Sequence, residues 1–352
     1  MIAATNSSHG PFPHDTLCGI LHLLTCHSAI AAIGGGLNFI TPYKRPFSLL
    51  DLSISFPFFP ETISITTVGL VSIVAPGVII AVVALLLVPG PKYSRQLSRK
   101  NLLALKLWEL EKGLAGLALS VACAFFITQA LKNLFGKPRP NCIAACMPDL
   151  SRVAEHTIGG YGQSLDPRWT LVSATICTNP DTSVVNDAFR SFPSGHCTVA
   201  WAGMLYLTLF LCSKFAIAVP HLPEKTGPSR DSGPLMHEQL PLHEGGLSSD
   251  TFPSTSGPHQ VSVRNLAASP PNHLIAIAFV PIAVACYICA SRFFDFYHHG
   301  FDIISGSLIG IVSSYLAFRW YHLPLARGQG WAWGPRSRDR AFGIGVGVGT
   351  YA

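Results

Sequence analysis

Long apolar runs, each closed by polar or basic residues, divide the chain into spans and loops. The runs lie near 17–40, 64–88, 113–131, 197–219, 272–290 and 302–320. Each approaches the roughly 20 residues that an α-helix needs to cross a bilayer. The pattern predicts an all-α integral membrane protein built as a six-helix bundle. The first run is the least regular, because it contains His27 and Gly34-Gly35-Gly36. No basic segment precedes it and no small-residue cleavage site follows it, so it reads as a retained helix and not a signal peptide.

The loops set an orientation, because short cytoplasmic loops carry an excess of Lys and Arg. The second loop region holds Lys92, Arg95, Arg99, Lys100, Lys106 and Lys112, and the segment after the last span holds Arg327, Arg336, Arg338 and Arg340. Both are expected in the cytoplasm. Both termini are then cytoplasmic, and the first, third and fifth loops face the lumen or exterior.

Three units follow: a polar segment 1–16, a membrane domain 17–320, and a basic, Gly-rich tail 321–352. Within the domain, residues 220–271 are rich in Pro, Ser, Gly and His and have no apolar period. They read as a disordered cytoplasmic insertion. The first external loop, about 41–63, contains Pro57-Phe58-Phe59-Pro60 and reads as a rigid interfacial cap. Asn6-Ser7-Ser8 matches a glycosylation acceptor, but in this topology it faces the cytosol and is read as a chance match.

Composition points the same way. Of 352 residues, 49% are hydrophobic and 12% charged, against about a quarter charged in soluble proteins. Mean hydropathy is +0.39. The net charge of +6 comes without a Lys/Arg run interleaved with aromatics, which argues against a nucleic-acid partner. Among ten cysteines, Cys18, Cys26, Cys123, Cys197, Cys212, Cys286 and Cys289 lie in or beside apolar spans, where a thiol packs as a small hydrophobe. Cys142, Cys146 and Cys177 share the third loop, and a luminal position would allow two of them to pair. His156 nearby gives no recognised zinc-ligand spacing with them.

Three motifs stand at span ends: Lys132-x6-Arg139-Pro140, Pro193-Ser194-Gly195-His196, and Ser291-Arg292-x5-His298-x3-Asp302. In the orientation above, all three face outward. Lys132 and Arg139 lie two helical turns apart, hence on one face if the helix continued, and Pro138 and Pro140 must end it. Basic residues at a span end also snorkel without further role. Ser194 reads either as an ordinary N-cap or as part of an anion site. In the second reading, backbone N–H groups at the helix start, with Gly195 allowing close approach, bind an oxyanion. His196 beside it could protonate a leaving oxygen.

In the third motif, His298 and Asp302 are expected to share a helix face, with Asp302 holding one ring nitrogen so that the other can attack. Arg292 offers a planar fork to phosphate oxygens. The adjoining His299 is expected to point away, and Asp295 and Asp51 are expected to be solvated.

Taken in order, these residues resemble the type 2 phosphatidic acid phosphatase superfamily, the lipid phosphate phosphatases. Its pattern, K-x6-R-P, P-S-G-H and S-R-x5-H-x3-D, is matched here without substitution over roughly residues 17–320. The segments Arg45-Pro46-Phe47-Ser48-Leu49 and Ser55-Phe56-Pro57-Phe58 are similar to fungal members related to diacylglycerol pyrophosphate phosphatase. The resemblance implies an attack by His298 on phosphorus through a phosphohistidine. Asp302 would support His298, and His196 would act as acid and then base. Lys132, Arg139, Ser194, Gly195 and Arg292 would hold the phosphoryl oxygens, with no metal and no cofactor.

The implied substrate is a lipid phosphate drawn from the bilayer: phosphatidate, lysophosphatidate or diacylglycerol pyrophosphate. Sphingoid-base or polyprenyl phosphates, phosphoryl transfer to another lipid, or a silent lipid-binding scaffold are the competing readings. A soluble haloperoxidase sharing the pocket is disfavoured by six spans, and a transporter by the placement of the ionisable groups at span ends. Vacuole, Golgi, ER and plasma membrane all fit the sequence.

Overall fold

The computed structural model describes residues 15–90, 94, 95, 97–215, 217 and 272–322. The polar segment before residue 15, the 220–271 insertion and the tail from 323 lie outside the described residues, as does Asn6. The six expected spans are all helical. They are α1 (Asp15–Leu37), α2 (Ile65–Leu87) and α3 (Arg99–Phe135), then, after the third loop, α6 (Gly195–Lys214), α7 (Asn272–Phe294) and α8 (Gly300–Tyr321). Two short helices, α4 (Cys142–Cys146) and α5 (Thr182–Ala188), stand in the third loop.

Five of the six, all but α1, are long and apolar enough among the described residues to cross a membrane. The α1 helix runs alongside α3 and ends beside it, where the Asn133 amide donates to the Leu37 carbonyl at 2.6 Å. Outward-facing Phe301, Ile304, Leu308, Val312 and Tyr315 recur every three or four residues along α8. Apart from Phe301, which stacks on Phe192 at 5.8 Å, that stripe is exposed among the described residues and suits a lipid-facing surface.

Helix α6 is the central post, packed by α2, α3, α7 and α8. Its core includes Tyr206, Leu207, Phe210 and Leu211, all buried. Close approach comes from glycine. A Cβ on Gly306 would lie 2.5 Å from the Ser194 carbonyl oxygen, and one on Gly310 would lie 2.5 Å from that of Thr198. Along α2, α-helical turns alternate with π turns at Leu70–Val74 and Val83–Leu87. Pro76 has no N–H to give the Ser72 carbonyl four residues back, which loosens the ladder there. Gly203 of α6 packs onto that same carbonyl.

The third loop is built and not loose. A two-stranded antiparallel ribbon, β1 (Thr157–Gly159) with β2 (Leu171–Val172), adds Phe47 of the first loop through an isolated bridge. Phe47, Val172, Ile176 and Phe189 form a small core under it. Cys146 and Cys177 are disulfide-bonded, and Cys142 remains a free, buried thiol.

At the bundle end away from the motifs, Lys214 and Glu109 form a buried ion pair.

Candidate active site

Three backbone hydrogen bonds stitch the motifs together. Ser191 N donates to the Lys137 carbonyl at 3.0 Å, Arg139 N to the Ala188 carbonyl at 2.8 Å, and Ser194 N to the Asp302 carbonyl at 3.0 Å. Helix α3 ends just before the first of these. Gly136 adopts the left-handed conformation (φ 57°) with its N–H on the Lys132 carbonyl, and a Cβ there would strike the Tyr43 carbonyl. Arg139 therefore lies beyond the helix, where Asp187 of α5 takes its Nη2 at 2.8 Å and its guanidinium sits 5.2 Å from the Tyr297 ring centre.

Ser194 is the N-cap of α6, yet its side chain caps nothing. The hydroxyl is buried and has no hydrogen-bond partner among the described residues. An ordinary N-cap would spend that oxygen on the N2 or N3 amide. Here both the hydroxyl and the first-turn amides remain for an anion. Lys132 lies opposite, where a Cβ on Gly195 would come 3.3 Å from its Nζ.

Arg292 is fully buried. Its Nε donates to Ser291 Oγ at 3.0 Å, its Nη2 pairs with Asp295 at 2.9 Å, and its Nη1 lies 3.3 Å from His196 Nε2. Asp295 was expected to be solvated. It is buried, and it also accepts from Thr62 N (2.9 Å) and Thr62 Oγ1 (2.6 Å). A guanidinium at this depth demands a carboxylate partner. Asp51 is exposed and accepts from Ser53 N.

His298 requires a correction. Helix α8 begins at Gly300 with His299 as its extended N-cap (φ −75°, ψ 159°). His298 thus precedes the helix and shares no helical face with Asp302. Its Nδ1 is bonded to the backbone carbonyl of Ser191 at 2.7 Å and not to Asp302. The Asp302 carboxylate is fully buried and accepts from Lys137 Nζ (2.7 Å), Ser191 Oγ (2.6 Å), His299 N (3.1 Å) and His299 Nδ1 (3.2 Å). His299 is a capping-box partner and not a residue pointing away. Burial, and then the nearby charges of Arg139 and Lys132, hold the His298 imidazole well below its usual range. The ring is a neutral tautomer with Nδ1–H committed and Nε2 free.

Sequence reasoning missed Lys137, Asp187 and Glu61. Glu61 lies in the first external loop, with Oε1 3.6 Å from Arg292 Nη1 and Oε2 3.8 Å from His196 Nε2. Burial pushes its carboxyl up, against the pull of Arg292 and Arg139. That loop is the expected cap. Phe56 stacks on Phe296 at 4.6 Å, Phe58 meets Tyr297 at 6.2 Å, and Tyr297 Oη donates to the Phe59 carbonyl at 3.0 Å. A cavity of about 220 Å³, lined by Phe58, Glu61, Arg139, Asn141, Asp187 and Tyr297, opens beside Arg139. The buried Asn141 amide nitrogen in its wall has no partner among the described residues.

The arrangement is that of a multi-pass helical membrane protein with Lys132, Arg139 and Arg292 gathered around two imidazoles, His196 and His298, at one end of its bundle. A family model described as the PAP2 superfamily matches residues 113–324, and the chain belongs to that superfamily. It is similar to "Probable diacylglycerol pyrophosphate phosphatase 1" of Schizosaccharomyces pombe, 26% identical over 81% of this chain and 74% of the relative. It is also similar to "Diacylglycerol pyrophosphate phosphatase 1" of Saccharomyces cerevisiae, 24% identical over 79% and 71%. "Phospholipid phosphatase 2" of Bos taurus is 33% identical over 57% of this chain and 63% of its own. No solved structure matches the chain.

Proposed function

We propose that this membrane phosphatase hydrolyses lipid phosphates, phosphatidate, lysophosphatidate or diacylglycerol pyrophosphate, through a phosphohistidine on His298 and without a metal. The family and the names of its relatives support a lipid phosphatase. The observation that carries the histidine chemistry is the Nδ1 bond of His298 to Ser191, which leaves Nε2 as the free nucleophilic nitrogen.

In this reading the phosphoryl oxygens are held by Lys132, Arg139, Arg292, the Ser194 hydroxyl and the Gly195 N–H. His298 Nε2 forms a bond to phosphorus as the P–O bond to the leaving group breaks. His196 gives its proton to the departing alkoxide, then takes one from the water that cleaves the phosphohistidine. Asp302 acts through Ser191 and Lys137. Cations held in a dry pocket stabilise the crowded transition state more than the ground state. The basic loops assign the site to the luminal or external face and both termini to the cytoplasm. The headgroup would enter the pocket while the acyl chains stay among the lipids beside α8.

The test is phosphate release from phosphatidate and diacylglycerol pyrophosphate with EDTA present, in membranes free of other lipid phosphatases. Wild type should release phosphate, and His298→Ala should not. Brief quenching with labelled substrate should trap an acid-labile, alkali-stable phosphoprotein. Release abolished by EDTA, or retained by His298→Ala, would overturn the mechanism. Activity confined to sphingoid or polyprenyl phosphates would overturn the substrate.

A further inference from the structure

Glu61 belongs to none of the motifs, yet it is held beside the group that must handle protons. Thr62, which follows it, is fastened to Asp295 by two hydrogen bonds, and on the same side the chain enters α2; Phe59, which precedes it, is fastened to Tyr297 by one. Beyond Thr62, Ser64 caps α2. Every other charged group facing the His196 ring is a cation or a second imidazole. Arg292 comes from α7, Lys132 from α3, Arg139 from the turn after α3, and His298 from the α7–α8 connection. Among the described residues, Glu61 is the carboxylate that pairs with His196.

Cations alone would strip the proton from that ring. The consequence depends on the leaving group. An alkoxide departs poorly unless its oxygen is protonated as the bond breaks, whereas a phosphate monoester departs as a stable anion.

We propose that Glu61 is a positioning residue that keeps the proton on His196, and that it thereby decides whether alkyl phosphate monoesters, and not only lipid diphosphates, are cleaved. The proposal rests on the histidine-phosphatase reading above. With phosphatidate, the P–O bond to the glycerol oxygen breaks, its electron pair stays on that oxygen, and the proton that the imidazolium form of His196 carries on Nε2, facing Glu61 in place of the Arg292 contact, joins it to give neutral diacylglycerol and a neutral imidazole. With the diphosphate, the electron pair stays on phosphatidate, which leaves as an anion without a proton.

The test measures kcat/KM of Glu61→Gln, Glu61→Asp and wild type on dioctanoyl phosphatidate and on dioctanoylglycerol pyrophosphate in mixed micelles. This parameter covers the steps through P–O cleavage. General acid catalysis contributes roughly 10²–10⁴-fold. Glu61→Gln should lose at least ~30-fold on phosphatidate and less than ~3-fold on the diphosphate. Glu61→Asp, which keeps the charge, should recover most of the phosphatidate activity. An equal fall on both lipids, no recovery in Glu61→Asp, or a wild type inactive on one of the two lipids overturns the assignment. A wild type inactive on both, or a His298→Ala variant that remains active, overturns the underlying mechanism instead.

Discussion

Ser191 serves His298 with its backbone and Asp302 with its side chain: its carbonyl accepts the Nδ1 proton of His298 at 2.7 Å, and its hydroxyl donates to Asp302 at 2.6 Å. The His298 ring is therefore set by the course of the main chain, and Asp302 holds that course through the Ser191 hydroxyl. Ser191→Ala keeps the carbonyl and removes a donor from a buried carboxylate. The expected cost is about 1.5–3 kcal/mol of stability. The expected kinetic effect is a kcat about tenfold lower with little change in KM, since the fault lies in aim and not in phosphate binding. Melting temperature and steady-state kinetics on one lipid phosphate check both.

The buried, neutral His298 makes stability depend on pH. Unfolded, a histidine takes up a proton as pH falls through about 6.5, whereas the folded ring, held well below that, does not. The unfolded state then binds more protons, so this contribution is present above pH ~6.5 and lost as pH falls below it. Melting temperature should decline from pH 7 to pH 5, and the decline should be shallower in His298→Ala. Equal slopes would contradict the assignment.

Two glycines should fail differently. A Cβ on Gly195 meets the mobile end of Lys132 at 3.3 Å, whereas one on Gly306 meets backbone at 2.5 Å. Gly195→Ala should fold normally and raise KM several-fold by displacing the cation. Gly306→Ala should lower the melting temperature, because main-chain atoms cannot step aside. The comparison needs only a thermal scan and one substrate titration per variant.

The disulfide closes a stretch with a sequence separation of 31. In the chain-entropy account this is worth about 3–4 kcal/mol. Cys146→Ser with Cys177→Ser should destabilise the third loop and loosen Arg139, whose backbone rests on that loop. In Cys146→Ser alone, Cys142 should not take over the pairing with Cys177, since burial pushes the Cys142 thiol up to about 12. Mass spectrometry of alkylated peptides, with and without reductant, checks the partners.

The spans and the three motifs that the fold brings together were legible because their signals are local. Runs of apolar residues and short motifs at span ends need no knowledge of what lies across the pocket. The partners were not legible. Asp295 meets Thr62 across 233 positions, and Lys137 meets Asp302 across 165. Helical spacing misled at His298 because the helix starts two residues later than the pattern suggests, with His299 as its cap. Glu61 left only a faint trace: a lone acid between Pro60 and the capping Ser64, in a loop whose prolines and aromatics already marked it as rigid. Which two of the three loop cysteines pair is likewise a matter of where the ribbon turns, and no spacing encodes that.

The glycine seam between α6 and α8 carries one more consequence. Backbone there touches backbone, at Gly306 against Ser194 and at Gly310 against Thr198. Main-chain atoms make the nearest contacts, with only Thr198 Oγ1 and Trp201 Cβ beside them, so little in the seam can repack and the two helices should tilt as a single lever. A thicker or thinner bilayer would change the angle of that lever while leaving the reach from His298 to Ser194 the same. The chemistry proposed for His298 would thereby keep its geometry whatever the thickness of the surrounding bilayer.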